Sequence, residues 1–137
     1  MQPYGALADV YDAMMDDFDY PKWAEYYRAL LGRAGVSPGT VYDAGCGTGS
    51  MALEFAKLGA RVTGADLSEA MLRRAAEKFR RAGESAMLVR QDICDLSVPR
   101  PVDAVVAACD GVNYLLTEER LRAFFRAARR AIRPGGA

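Results

Sequence analysis

Glycine and acidic residues in one short segment are the clearest sign of chemistry in this sequence. Gly45, Gly47 and Gly49 stand at every second position, and Asp43 precedes them. Glycines at this spacing let the backbone take positive φ angles and let a ligand approach the main chain closely. The free amides and the dipole at the start of a following helix would attract an electronegative group. The segment therefore predicts a small-molecule binding turn, with a tight turn that binds nothing as the alternative.

Polar residues also follow the other apolar runs of the sequence. Asp66 ends the second run, Asp92 follows the third, and Cys109-Asp110 follows the fourth. The carboxyl ends of parallel strands meet at one edge of a sheet, where open α/β sheets bind their ligands. Because four separate loops place polar groups on this one rim, we expect the ligand site there.

Strand and helix signals alternate along the chain. Apolar runs predict strands at 40–43, 61–65, 87–90 and 102–108. Apolar residues at helical spacing predict helices at 7–15, 22–33 and 50–58, and two more that Ser68 and Thr117 would cap. This alternation predicts an α/β fold: a three-layer α/β/α sandwich with a mainly parallel sheet. We expect an N-terminal helical cap over residues 1–38 and a ligand-binding core over 39–137.

Composition excludes several classes of function. The 137 residues carry 18 basic and 18 acidic side chains, so the formal net charge is zero and nothing favours a nucleic-acid or membrane partner. The basic clusters at 73–81 and 126–133 fall on polar helix faces, where we expect them to be solvated. Without histidine, and with three cysteines at no metal-ligand spacing, the sequence predicts neither a metal site nor a histidine-based triad. No signal peptide and no apolar run of about 20 residues is present, so we expect a cytoplasmic protein.

The glycine spacing separates two cofactor classes. A dinucleotide turn needs Gly-x-Gly-x-x-Gly, but Ser50 stands where its last glycine would be. The sequence Val41-Tyr-Asp-Ala-Gly-Cys-Gly-Thr-Gly49 instead resembles the first motif of class I S-adenosylmethionine-dependent methyltransferases, Asp/Glu-x-Gly-x-Gly-x-Gly. The resemblance implies a Rossmann-like fold that binds S-adenosylmethionine and releases S-adenosylhomocysteine. In that family these glycines, here with Cys46 between them, cradle the methionine part and the ribose of the cofactor.

Two later segments resemble further motifs of the family. Asp66 can accept two hydrogen bonds from ribose hydroxyls, although an NAD site would use it in the same way, and a helix-capping role is the alternative. Leu67 would pack on the adenine or the ribose. The resemblance implies that Asp92 accepts a hydrogen bond from the adenine amine and that the Ile93 amide meets a ring nitrogen. We expect Asp95 to have only a turn or capping role.

The resemblance places the methyl acceptor at the end of the fourth strand. Cys109 and Asp110 are site candidates there, with packing as the alternative for Cys109. The segment departs from the Asn/Asp-Pro-Pro-Tyr/Phe tetrapeptide of enzymes that methylate exocyclic amines or glutamine amides, so those acceptors are not expected. The implied reaction is in-line displacement by a small-molecule nucleophile on the sulfonium methyl group. No catalytic residue is identified; Asp110, Tyr11 and Tyr114 are candidates for a base, which only a protonated acceptor needs.

The N-terminal segment resembles the cap of small bacterial members of the family. Tyr4, Tyr11 and Trp23 are therefore expected to contact the cofactor or the acceptor from a lid, with simple core packing as the alternative.

The chain ends at Ala137, where family members continue into a fifth strand, another helix and two further strands. We therefore expect a truncated product whose fourth strand is a bare apolar edge, able to pair with a second copy. Two other functions stay open: a non-catalytic cofactor-binding or interaction module, and an NAD-binding Rossmann domain.

Overall fold

The structure is a computed structural model that describes residues 11–108 and 117–137, without the side chains of Tyr11 and Met14. Its helices are α1 (Tyr11–Met14), α2 (Tyr20–Arg33), α3 (Ser50–Lys57), α4 (Glu69–Ala82) and α5 (Glu118–Ala131). Its strands are β1 (Thr40–Ala44), β2 (Arg61–Asp66), β3 (Met87–Arg90) and β4 (Ala104–Val106), with a single 3-10 turn at Ile93–Asp95. Within these ranges no helix has the length and apolarity to cross a membrane.

The four strands form one parallel sheet in the order β3-β2-β1-β4. Val41 of β1 is aligned with Val62 of β2 on one side and with Ala104 of β4 on the other. From β1 the chain therefore continues through β2 and β3 toward one edge of the sheet, and it then crosses to β4 on the other side of β1. Such a reversal opens a crevice at the carboxyl end of the central strand, which is where ligands bind in open α/β sheets. The α/β fold expected from the sequence is confirmed.

Helices cover both faces of the sheet because β1 is apolar on both. Val41 is 1% exposed and belongs to one core cluster, which includes Ala24 of α2, Phe55 of α3 and Phe79 of α4. Tyr42 is fully buried in the second cluster, against α5 and the 3-10 turn. Alternate residues of one strand thus face opposite layers, which gives the Rossmann-like α/β/α arrangement. Because Ala24 belongs to the first cluster, α2 shares the core of β1, and it packs chiefly against α3.

Side-chain caps fix where the helices begin. The hydroxyls of Ser68 and Thr117 accept hydrogen bonds from the amides of Met71 and Arg120, as the sequence predicted. Helix α2 begins two residues earlier than predicted, at Tyr20, because the Asp19 carboxylate accepts from the Lys22 amide. Pro21 then occupies the first turn, where its missing N–H costs nothing.

The free edge of β4 differs from the expectation. Arg133 N–H donates to the Val102 carbonyl at 2.9 Å, Ala137 N–H donates to the Asp103 carbonyl at 3.0 Å, and Val105 N–H donates to the Ala137 carbonyl at 2.9 Å. The expected bare edge is therefore wrong. The reason is the Pro134-Gly135-Gly136 turn, in which Gly135 has a φ of +82° and returns the chain to the strand. The bare edge was the reason to expect pairing with a second copy, so that reason no longer holds.

Two members of the basic clusters are less solvated than expected, whereas Arg73, Arg80, Arg81, Arg126, Arg129 and Arg130 are exposed as predicted. Arg133 forms an ion pair with Asp103, whose other oxygen accepts from the amides of Gly39 and Thr40. Lys78 turns inward to a group of polar side chains that includes Asp12. Both cations are therefore part of the packed structure.

Both the backbone conformation and the close neighbours of position 49 require glycine there. Its φ is +82°, and a Cβ built on it would lie 2.9 Å from the Cβ of Ala75 in α4. We expect Gly49→Ala to lower the free energy of unfolding by about 3 kcal/mol, because left-handed strain adds to the overlap. Gly83→Ala is the matched control, with φ at +70° and nothing within 4 Å of the added Cβ, and it should cost only about 1 kcal/mol. Urea denaturation measures both, and equal losses would show that contact with α4 does not restrict this position.

Candidate functional site

The turn between β1 and α3 forms the centre of the rim. Gly45, Gly47 and Gly49 have φ angles of 72°, 56° and 82°, all in the left-handed region. Cys46 N–H donates to the Ala65 carbonyl at 2.8 Å, so the turn is tied to the end of the neighbouring strand β2. A Cβ built on Gly47 would meet nothing within 4 Å, so there is open space in front of the main chain at that residue. The turn thus presents accessible backbone next to the start of α3, whose first amides have no partners within the helix.

Asp66 ends β2 and faces this turn. One carboxylate oxygen accepts from the Gly47 amide at 2.9 Å, and the other accepts from the Ser68 amide at 2.9 Å. A carboxylate oxygen has two lone pairs, so each oxygen keeps capacity for one further donor. The capping of α4 itself is done by Ser68, so Asp66 is not limited to that alternative role. The adjacent Leu67 is 44% exposed and lies on the same rim.

Asp43 is a buried acid directly beneath the turn. It is 2% exposed, and this burial, with the negative charge of Asp66 adding to it, raises the pKa of Asp43 to about 8. Burial, together with Asp43 and Asp66, also raises the pKa of the Cys46 thiol. The negative charge of Asp66, beside an acid that burial keeps protonated, disfavours a pyrophosphate and favours a ligand that brings positive charge, next to which Asp43 would ionise.

A cleft opens in front of this turn. It is lined by Tyr20, Asp43, Gly45, Cys46, Gly47, Thr48, Ser50, Met51 and Ala108. The structure therefore brings together four residues that the sequence predicted for the site: Asp43, Gly45, Cys46 and Gly47. Ala108, just beyond the end of β4, also lines the cleft. Trp23 is not among the lining residues: it is 43% exposed, with its ring stacked on Phe18 at 6.0 Å.

The sequence did not suggest Tyr20 as a site residue, because the pair Tyr20-Pro21 by itself favours only a turn or a helix start. Pro21 in the first turn of α2 fixes Tyr20 as the first residue of the helix, from where it reaches the cleft. An aromatic residue at the start of a helix that follows an acidic loop was the available signal. Thr48 and Ser50 were missed because only the neighbouring glycines were considered.

Asp92 and Ile93 lie at the end of β3, outside the cleft lining. The Asp92 carboxylate accepts from the Cys94 amide at 2.9 Å and so caps a 3-10 turn in which Asp95 is the last residue. Nη2 of Arg120 in α5 also donates to both oxygens of Asp92, at 3.0 and 2.8 Å. Burial raises the pKa of Asp92, but the Arg120 hydrogen bonds and the Cys94 amide outweigh it, and the pKa lies below its usual value. Arg120, which the sequence did not suggest, is therefore the partner that holds Asp92 ionised.

The acceptor side of the predicted site lies largely outside the described residues. Tyr4, Cys109, Asp110 and Tyr114 are in segments that the structure does not describe, and the same holds for the side chain of Tyr11. Their roles stay predictions.

Comparisons with known proteins relate the chain to methyltransferases. A family described as "Methyltransferase domain" matches residues 41–136. Over 134 residues the chain is 34% identical to "Putative methyltransferase YqeM" of Bacillus subtilis (strain 168), which covers 97% of this chain and 52% of that protein. It is 30% identical to a dTDP-4-amino-2,3,4,6-tetradeoxy-D-glucose N,N-dimethyltransferase of Saccharopolyspora spinosa, over 94% of this chain and 51% of that relative.

A solved structure shows the same relationship. The crystal structure of an S-adenosylmethionine-dependent methyltransferase from Clostridium acetobutylicum ATCC 824 superposes with a TM-score of 0.84 at 29% identity. The match covers 97% of this chain and 55% of that one. The chain thus spans about half the length of the relatives that it matches.

The raised pKa of Asp43 has a consequence for stability. The folded protein keeps the Asp43 proton up to about pH 8, whereas the unfolded chain loses it near 3.8, so this residue destabilises the fold progressively as pH rises between those values. The asparagine of the Asp43→Asn variant does not titrate. The free energy of unfolding of that variant, relative to the wild type, should therefore rise by about 1.4 kcal/mol per pH unit between about pH 5 and 7.

Urea denaturation at several pH values measures this difference, with the exposed Asp95→Asn as the matched control. A difference for Asp43→Asn that stays constant with pH would contradict a buried, protonated acid at this position.

Proposed function

The chain belongs to the methyltransferase domain family, and from that membership we propose that it binds S-adenosylmethionine at the glycine turn for methyl transfer to a small molecule. The observation that carries the proposal is the turn itself, in which three left-handed glycines stand between the carboxylates of Asp43 and Asp66. This combination suits a ligand that has both an anionic and a cationic group at one end. The methionine part of the cofactor has a carboxylate, an ammonium group and a sulfonium group.

The residues of the cleft fit the methionine part of this cofactor. In the proposal its carboxylate lies against the accessible backbone at Gly45 and Gly47 and the first amides of α3. Its positive groups lie on the side of the buried Asp43, whose ionised form a neighbouring cation would favour. Cys46 and Gly49 contribute to the shape of the turn and carry no charge. A dinucleotide would instead bring its doubly charged pyrophosphate to the Asp66 carboxylate and to a buried acid that offers it no positive charge.

The nucleoside would extend along the rim toward β3. We assign the ribose hydroxyls to the free lone pairs of Asp66 and an apolar contact with the base or ribose to Leu67. Asp92 and the Ile93 amide would then meet the adenine edge. Since Arg120 already bridges both oxygens of Asp92, the adenine amine would share this carboxylate with the guanidinium.

When bound, S-adenosylmethionine would supply a methyl group on its sulfonium sulfur; an acceptor nucleophile would attack the methyl carbon as the carbon–sulfur bond breaks and S-adenosylhomocysteine leaves. The chain's contribution is to fix the donor and to exclude water from the reacting centre. In the proposal, Tyr20 and Ala108, which both line the cleft, face the methyl group. Tyr11 and Trp23 remain our candidates for a lid, with residues 1–38 as the cap, and Asp110, Tyr11 and Tyr114 for a base.

A small-molecule acceptor is supported by the relatives and by charge. The Saccharopolyspora spinosa relative is named for an amino sugar nucleotide, and the formal net charge of this chain is zero. An amine on a sugar-like molecule is therefore the first acceptor class to test. The proposal places the reaction in the cytoplasm, where the free thiols of Cys46 and Cys94 would stay reduced.

Calorimetric titration tests the cofactor site. We expect S-adenosylmethionine to give a saturable heat and NAD to give none. Asp66→Asn should weaken the binding of S-adenosylmethionine about 10- to 100-fold, because it removes the charge from the hydrogen bonds to the ribose hydroxyls.

The matched control is Asp95→Asn, an exposed acid on the same rim, which should leave the affinity unchanged within a factor of two. Binding of NAD, or equal affinities for the wild type and Asp66→Asn, would overturn the proposed site.

A further inference from the structure

A polar cluster joins the N-terminal helix to the glycine turn. The Asp12 carboxylate of α1 accepts from the Thr48 hydroxyl at 2.6 Å and pairs with Lys78 Nζ of α4 at 2.8 Å. Lys78 Nζ also donates to the hydroxyls of Thr48 at 3.1 Å and Ser50 at 2.6 Å. We call Asp12, Thr48, Ser50 and Lys78 the latch. Its four members come from α1, the turn, the start of α3, and α4.

The hydrogen bonds of the latch are complete. An ammonium group has three N–H donors, and those of Lys78 have three acceptors, on Asp12, Thr48 and Ser50. The Thr48 hydroxyl donates to Asp12 and accepts from Lys78, so each group has the partner that its chemistry requires. Thr48 is only 1% exposed, and a buried hydroxyl is costly unless it is paired. The arrangement is therefore more specific than an isolated surface ion pair.

The latch also connects α1 to the glycine turn and to α4. Both α1 side chains that the structure describes, Asp12 and Ala13, are exposed, and Asp12 makes the latch contacts. Contacts across 36 and 66 positions of sequence, to Thr48 and Lys78, thus fix a helix of four residues. Burial by itself raises the pKa of Asp12. Hydrogen bonds from Lys78 and Thr48 and the charge of Lys78 outweigh burial and lower the pKa below its usual value, so Asp12 stays ionised at neutral pH.

The latch lies on the wall of the cleft. Thr48 and Ser50 both line it, and Thr48 stands between Gly47 and Gly49. A movement of α1 would remove the partner of the Thr48 hydroxyl at the centre of the turn. Conversely, a rigid turn keeps α1, and with it the backbone of Tyr11, beside the cleft.

We propose that Asp12 and Lys78 are positioning residues, which act through Thr48 to hold α1 beside the cleft and the glycine turn in its binding conformation. The inference rests on the proposed function, because the affinity that it predicts is for S-adenosylhomocysteine or its methylated parent. It assigns a role to a lysine whose position in a basic cluster indicated only a solvated face.

The test compares Asp12→Asn, Lys78→Met and the double variant with the wild type. Without cofactor, cleavage by an Asp-specific endoprotease at the exposed Asp16 and Asp17, between α1 and α2, should become at least about threefold faster in each variant, because α1 detaches more often. In calorimetry each single variant should bind S-adenosylhomocysteine about tenfold more weakly. The double variant should be no weaker than either single one, because all three lose the same interaction.

Lys57→Met is the matched control, because Lys57 pairs with Glu54 on the surface of α3 and is not part of the latch. It should change neither cleavage nor affinity. Urea denaturation confirms that every variant is folded at the temperature of the titration. A purely structural role would lower the midpoint of unfolding and leave the affinity of the folded protein unchanged.

The outcomes separate the two proposals. If the wild type binds no S-adenosylhomocysteine, the proposed function fails, and the cleavage rates still decide whether the latch holds α1. If the wild type binds and the latch variants bind equally well, the positioning role is overturned. Additive losses in the double variant, or cleavage at the wild-type rate, would overturn it as well.

Discussion

The rim of this sheet depends on one backbone constraint: the chain must turn from β1 into α3 within five residues, 45 to 49, while it stays bonded to the end of β2. Amides of the turn donate to the Ala65 carbonyl and to the Asp66 carboxylate, so the turn and the second strand form one unit. Only residues that tolerate positive φ can make this path. The same path brings Gly49 against Ala75, so the packing of α4 is decided here too.

The turn also sets the electrostatics of the site. It covers Asp43 and directs Asp66 at the Gly47 amide, which leaves two acids close together with little water around one of them. Such an arrangement is unfavourable for the empty protein, because a buried carboxylate loses its hydration. A bound cation would relieve it. Binding sites commonly contain such strained or charged groups at a cost in stability. Here the charge of the rim agrees with a cofactor that carries positive charge.

Much of this arrangement follows from local sequence, and some of it does not. The buried strand before the glycines, the caps at Ser68 and Thr117, and the parallel sheet were predictable because each depends on a few neighbouring residues. The length of β4 was not. Six apolar residues among seven predicted a strand over 102–108, but pairing with β1 ends at Val106, since β1 reaches its turn after Ala44. The return of the chain through Gly135 to cover that strand depends on contacts that no local pattern reveals.

The candidate site divides in the same way. Glycine spacing and acids at strand ends identified Asp43, Gly45, Gly47 and Asp66, because strand order alone brings these residues to one rim. Side-chain partners from distant elements were missed, above all Lys78 on the turn and Arg120 on Asp92. Each is one basic residue among several on an amphipathic helix, and only the packed structure distinguishes it from its solvated neighbours.

A crystal structure of the protein with S-adenosylhomocysteine would test the central claim most directly. The account predicts the ribose hydroxyls within hydrogen-bond distance of the Asp66 carboxylate, and the amino-acid end of the ligand against the turn from Gly45 to Gly49. A ligand bound elsewhere on the sheet, or one whose ribose does not contact Asp66, would contradict it.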